Sequence, residues 1–113
     1  MEKEDFSATD SRGFKVECTK ENFEYIRFIK HPESSKYLTP AHIRAAIENP
    51  RDGIYSSNWK PSNHIYYSKV RKVPAEIKVV VDFSKESIGK IITFHLSSKR
   101  PDNEKLIWPD ISH

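Results

Sequence analysis

Tyr66, Lys78 and His95 occupy positions that one face of a β-sheet would gather, with His64 and Thr93 close by. Together they offer two imidazoles that exchange protons, a phenol, a hydroxyl and a fixed cation. That set suits phosphoryl chemistry without a metal. Cleavage of RNA by its own ribose 2′-OH needs a base, an acid for the leaving oxygen and a cation for the phosphorane charge. His31, in His31-Pro32-Glu33, is a further acid–base candidate. It equally suits a helix C-terminus, where an imidazole favours the carbonyl end of the dipole. Lys69, Arg71 and Lys72 cluster where they would either contact phosphates or cap a solvated hairpin tip. Trp59, in Ser-Asn-Trp-Lys-Pro-Ser-Asn, is either a base-stacking residue or part of the packing of its own loop onto the sheet. Each polar residue alone is ordinary on an exposed antiparallel face. Cations, histidines and aromatics converging on one face are what RNA recognition uses.

The elements that must position these groups follow from periodicity and caps. Phe14, Val16 and Cys18 alternate with Lys15 and Glu17, which predicts a short strand. Thr19 caps a helix from about Lys20 to Lys30, which Pro32 ends. Thr39 as N-cap and Pro40 at the first helical position open a second helix. Its core face is Ile43, Ala46 and Ile47, and Asn49-Pro50 stops it. Strands are expected at 53–56, 64–69, 76–83 and 90–97, with a short terminal one at 106–108. The expected class is α+β: an N-terminal strand, two helices, then a four-stranded antiparallel sheet with helices on one face.

Alternation then sorts the faces. Ile65, Tyr67, Ile77, Val79, Val81, Phe83, Ile92, Phe94 and Leu96 are expected to face the helices. His64, Tyr66, Lys78, Asp82, Thr93 and His95 are expected to face away. A hairpin through 84–89 sets Lys78 near His95 and Val80 near Thr93. A second hairpin through 71–74 would set Tyr66 beside Lys78.

Composition bounds the class. The 113 residues make one domain's worth of chain, with the polar stretch 1–12 reading as loose or edge-like. Hydrophobic residues are 36% and charged residues 31%, which excludes collagen-like and coiled-coil chains. No apolar run approaches the ~20 residues of a membrane helix, and the acidic start lacks the layout of a signal peptide. The single cysteine, Cys18, excludes an internal disulfide and suits a reducing cytoplasm. A net charge of +3 permits a polyanionic partner without demanding one. No Gly-rich phosphate loop, nucleophile elbow or metal-ligand histidine spacing is present, so no cofactor is expected.

Two rival readings stay open. Asp52, Glu76 and Lys78 match a loose Asp…Glu-x-Lys pattern, in which two carboxylates would hold Mg²⁺ and the lysine would assist a water. Alternatively the domain is not an enzyme, and binds nucleic acid or a protein through the same face.

The order of short motifs carries a resemblance. Gly13-Phe-Lys-Val-Glu-Cys-Thr19, a helix into His31-Pro32-Glu33, Ile47-Glu-Asn49-Pro50, Tyr66-Tyr67, the Ile77–Phe83 strand and Gly89-Lys-Ile-Ile-Thr93-Phe follow one another over residues 13–108. This layout resembles the phage-associated nuclease domains of the barnase–EndoU–colicin–RelE superfamily. The resemblance implies an α+β fold with a four-stranded antiparallel sheet and a metal-independent, toxin-like ribonuclease. It implies RNA as substrate, and a basic nuclease of this size would often need an inhibitor protein as partner. His31, Tyr66, Lys78, Thr93 and His95 are then the catalytic set, and His64, Trp59, Lys69, Arg71 and Lys72 the RNA contacts.

Overall fold

The computed structural model describes residues 5–71, 74–85 and 88–109. Its order is β1 (Phe6–Thr9), β2 (Lys15–Cys18), α1 (Lys20–Tyr25), a π-helical turn (Ile26–Lys30), α2 (Pro32–Ser35), α3 (Pro40–Glu48), β3 (Ile54–Ser57), β4 (Asn63–Lys69), β5 (Glu76–Asp82), β6 (Ile88–Ser97) and β7 (Glu104–Trp108). The class is α+β. Among the described residues no helix is long and apolar enough to cross a membrane.

The caps act where the side chains predict. Thr19 Oγ1 accepts from the Asn22 amide at 3.1 Å. Thr39 Oγ1 accepts from the His42 amide at 3.3 Å, while His42 Nδ1 accepts from the Thr39 amide at 3.1 Å, closing a capping box. The first helix does not run unbroken: its α-helical part ends at Tyr25, and a wider turn carries the chain to His31. Phe6–Thr9 forms the edge strand of the sheet rather than a loose segment, with Phe6 and Ala8 buried.

The sheet is larger than expected. It has seven strands in the order β1-β2-β6-β5-β4-β3-β7. The antiparallel meander β3-β4-β5-β6 is as predicted. It gains β7 antiparallel on β3, and β2 parallel to β6, so the sheet is mixed rather than four-stranded and antiparallel. Phe6, Val16, Cys18, Ile54, Tyr66, Val79, Val81 and Phe94 form one core with Phe23, Ile26, Ile43 and Ile47 of the helices.

Chain length forces the sheet to curl. In a flat sheet Ser97 and Glu104 would stand about 19 Å apart across four strand spacings and about 20 Å apart along the strands, or about 28 Å in all. The seven Cα steps between them reach at most about 25 Å. The connection 98–103 therefore draws β7 toward β6 over the face that the helices leave open. Arg100 marks its path: its guanidinium lies 4.1 Å from the centre of the Tyr67 ring and 5.3 Å from that of Tyr55.

Two expectations about facing are corrected. β4 is in the opposite phase: Tyr66 pairs with Val79 and His64 with Val81, so both point to the core side. Ile65 and Tyr67 point to the other side, where Tyr67 stands opposite Lys78. A bulge in β6 at Ile92 pairs Ile91, not Ile92, with Val81, so Ile91 joins the core.

Gly53 joins α3 to this curl at φ +120°, and a Cβ there would lie 2.1 Å from the Trp108 carbonyl oxygen. Gly13 also has positive φ but open space around it. Gly53→Ala should cost about 2–4 kcal/mol and Gly13→Ala about 1 kcal/mol. Urea midpoints check the order; equal losses would show that the backbone angle alone matters.

Candidate functional site

The site is built on an unpaired strand edge. β2 covers β6 only from Ile88 to Lys90. Beyond that, β6 presents carbonyls that need donors. Side chains of the helical connection supply them: Asn22 Nδ2 donates to Ile91 O at 3.4 Å, Lys30 Nζ to Ile92 O at 3.2 Å and Ser35 Oγ to Phe94 O at 2.7 Å. Ser35 is fully buried. These three bonds lay the connection along the edge of β6, and His31 lies between the last two donors in sequence.

His31 thereby reaches the open face. Its ring centre is 4.9 Å from that of His95. His95 pairs with Lys78 across β5–β6, as the alternation predicts, and Thr93 pairs with Val80. His95 Nδ1 lies 3.0 Å from the Leu96 carbonyl oxygen, which can only accept, so Nδ1 carries the proton and Nε2 is left for other partners. Thr93 Oγ1 is buried without a partner. Burial, then the charges of His95 and Lys30, hold the His31 pKa below the ordinary 6.5. His31 is accordingly a neutral imidazole near neutral pH.

Lys78 is anchored rather than free. Its Nζ donates to Glu104 Oε2 at 2.8 Å, with side chains 15% and 5% exposed. Tyr67 Oη donates to the other oxygen of Glu104. Only the curl brings Glu104 to Lys78, three strands away. An ammonium has three donors, so Lys78 keeps two for another acceptor. Sequence reasoning missed Tyr67 and Glu104. β4 is buried on both faces, so polarity gives no phase, and the reach of β7 depends on the length of the connection before it.

Asp52 and Glu76 converge, but on a guanidinium. Arg100 donates to Glu76 Oε1 and Oε2 at 2.9 and 2.8 Å and to Asp52 at 2.8 Å. Lys78 turns instead to Glu104, so the Asp…Glu-x-Lys set does not assemble around one point. Among the described residues no group of three or more His, Cys, Asp or Glu side chains could hold a metal ion.

Tyr66 and His64 belong to a different network. Tyr66 is buried and donates to Asp10 Oδ2 at 2.8 Å, and Arg12 bridges Asp10 at 2.7 Å and His64 Nδ1 at 3.1 Å. Arg12 can only donate, so His64 accepts and is neutral. Burial, then the Arg12 charge, pushes the His64 pKa down to about 4. Burial would raise the Asp10 pKa, but hydrogen bonds from Arg12, Tyr66 and Phe14 outweigh it and hold it below its usual value. The group pins the β1–β2 turn to β4. It supplies neither Tyr66 nor His64 to the face that holds His95.

The remaining candidates are dispersed. Trp59 is 83% exposed, on a turn whose amides at 59 and 60 donate to Ser57 Oγ. Lys69 and Arg71 are exposed at the β4–β5 end, and Lys72 lies outside the described residues. Cys18 is buried, which pushes its thiol up to about 11. The cleft of about 250 Å³ lined by Phe6, Phe23, Arg27 and Arg44, among others, contains neither His31 nor His95.

Compared with known proteins, the chain matches no family model, and no curated protein or solved structure matches it significantly.

The His64 environment fixes a pH dependence. An unfolded His64 takes up its proton through the ordinary 6.5, the folded one only through about 4. Unfolding therefore binds a proton between those values, and stability falls as pH falls through that window. Urea midpoints across it should drop in the wild type and drop less in His64→Gln. Parallel curves would show that His64 is not held neutral.

Proposed function

We propose that this chain is a metal-independent RNA endonuclease of the kind its motif order resembles, with His31 and His95 as the acid–base pair. The carrying observation is the placement of these two rings, 4.9 Å apart, on the rim of the uncovered sheet face and one strand from Lys78. A neutral His31 suits the base. It takes the proton of the ribose 2′-OH as O2′ bonds to phosphorus. His95, protonated at Nε2, gives its proton to O5′ as the P–O5′ bond breaks. The two spare donors of Lys78 serve the non-bridging phosphate oxygens, and Thr93, whose hydroxyl is buried, lies beneath them. Tyr66 has no part in this reading, and Tyr67 holds Glu104 against Lys78. An acid–base pair on a surface fits a polymer better than a small enclosed ligand.

Purified protein should cut single-stranded RNA in excess EDTA, leaving 2′,3′-cyclic phosphate and 5′-hydroxyl ends. His31→Ala and His95→Ala should each slow cleavage by about 10²-fold or more while keeping the wild-type circular dichroism. A folded, fully active His95→Ala protein would contradict the assignment. Activity that needs Mg²⁺ and dies in Asp52→Ala would replace it with the metal-dependent reading. Binding of RNA without cleavage would leave a binding module.

A further inference from the structure

The surface on both sides of His31 is unusually apolar for its exposure. Among the described residues, six large hydrophobic side chains are exposed, and four of them, Tyr25, Phe28, Ile29 and Tyr37, lie within residues 25–37. Tyr25, Phe28 and Ile29 cluster within about one turn, where the α-helix widens after Tyr25. Tyr37 follows α2 and is 65% exposed. Cations accompany the rings. Arg27 lies 4.8 Å from the centre of the Phe28 ring, and Lys36 lies 5.1 Å from that of Tyr37. Over residues 25–37 the charges are Arg27, Lys30 and Lys36 against Glu33 alone.

We infer that this helical rim is the track for single-stranded RNA, which lays unpaired bases on Tyr25, Phe28 and Tyr37 and its phosphates against Arg27, Lys30 and Lys36 on either side of His31. The inference rests on the proposed ribonuclease reading and names the form of its substrate. A stacking platform needs exposed ring faces with cations between them, and it tolerates any base. Lysine is depleted in protein-docking patches, whereas this rim carries Lys30 and Lys36, the latter 5.1 Å from the centre of the Tyr37 ring. The substrate is single-stranded because paired bases keep their faces inside the helix.

The test uses full-length His95→Ala protein, which binds without turnover, and a fluorescein-labelled RNA of about 12 mixed-sequence nucleotides, a length within the site sizes of single-strand binders. Anisotropy should report tighter binding of the single strand than of its duplex. Adding Phe28→Ser and Tyr37→Ser should weaken single-strand binding by at least about tenfold, and Lys36→Ala should flatten the salt dependence more than Lys15→Ala does. Tyr37→Ser alone, at the most exposed of the four, should weaken binding in the same direction and covers the case in which the double variant misfolds. Unchanged affinity in folded variants would overturn the track. Cleavage by wild-type protein, measured separately, would still stand, so the two failures are distinguishable. Absence of any RNA binding would also overturn it, with the cleavage assay again deciding the broader reading. A wild-type dimer in sedimentation that becomes monomeric in the double variant would assign the rim to a second copy of this chain and overturn the RNA track.

Discussion

The site depends on the satisfaction of one strand edge. β6 runs for ten residues, but β2 covers its first three only. Its later carbonyls would face solvent or an apolar helix without partners, at a cost of about 1–3 kcal/mol for each buried group. Asn22, Lys30 and Ser35 meet that demand at Ile91, Ile92 and Phe94. The helical connection must then follow the strand, with Ser35 buried against it. His31 lies between two of the donors and has to emerge beside the residue that follows Phe94 on the opposite face. A backbone requirement thus fixes the distance between the two imidazoles.

A second constraint shapes the other side of the same face. The connection from β6 to β7 is too short to span a flat sheet, so the sheet curls and Glu104 comes to Lys78. Arg100 holds the connection down through Glu76, Asp52 and two tyrosine rings. The acids that a metal-dependent reading would have used are the ones that Arg100 occupies. Its pKa is raised by the bonds to Glu76 against the effect of burial, so it stays charged and the clasp persists through the neutral range. Lys78 is held at one donor and open at two. The open face therefore has ion-paired Lys78 and Arg100 on its floor, between the His31–His95 rim and the far edge at β7.

Much of this was legible in the sequence, for identifiable reasons. Caps at Thr19 and Thr39 and the stop at Asn49-Pro50 are local, so the helix starts and the end of the second helix could be read directly. β5 alternates cleanly between Ile77, Val79, Val81 and the polar residues between them, so its face and its pairing of Lys78 with His95 and Val80 with Thr93 followed. β4 was not legible in the same way: Ile65, Tyr66 and Tyr67 are all buried, and a strand buried on both faces has no polarity to set its phase. Tyr66 and His64 were placed with Lys78 for that reason. Their actual partners, Asp10 and Arg12, lie more than fifty residues away in sequence. The bulge at Ile92 and the docking of β7 are likewise tertiary effects. The path of His31 around the edge of β6 left no local signature, because its cause is a set of donors whose acceptors lie about sixty residues on.

Edge capping couples His31 to His95. NMR titration of the His31 ring in wild-type protein and in His95→Asn tests it without any substrate. The wild-type midpoint should lie below the ordinary 6.5 and move up when the neighbouring imidazole is removed. A His31 midpoint that is ordinary in the wild type and identical in the variant would contradict the coupling.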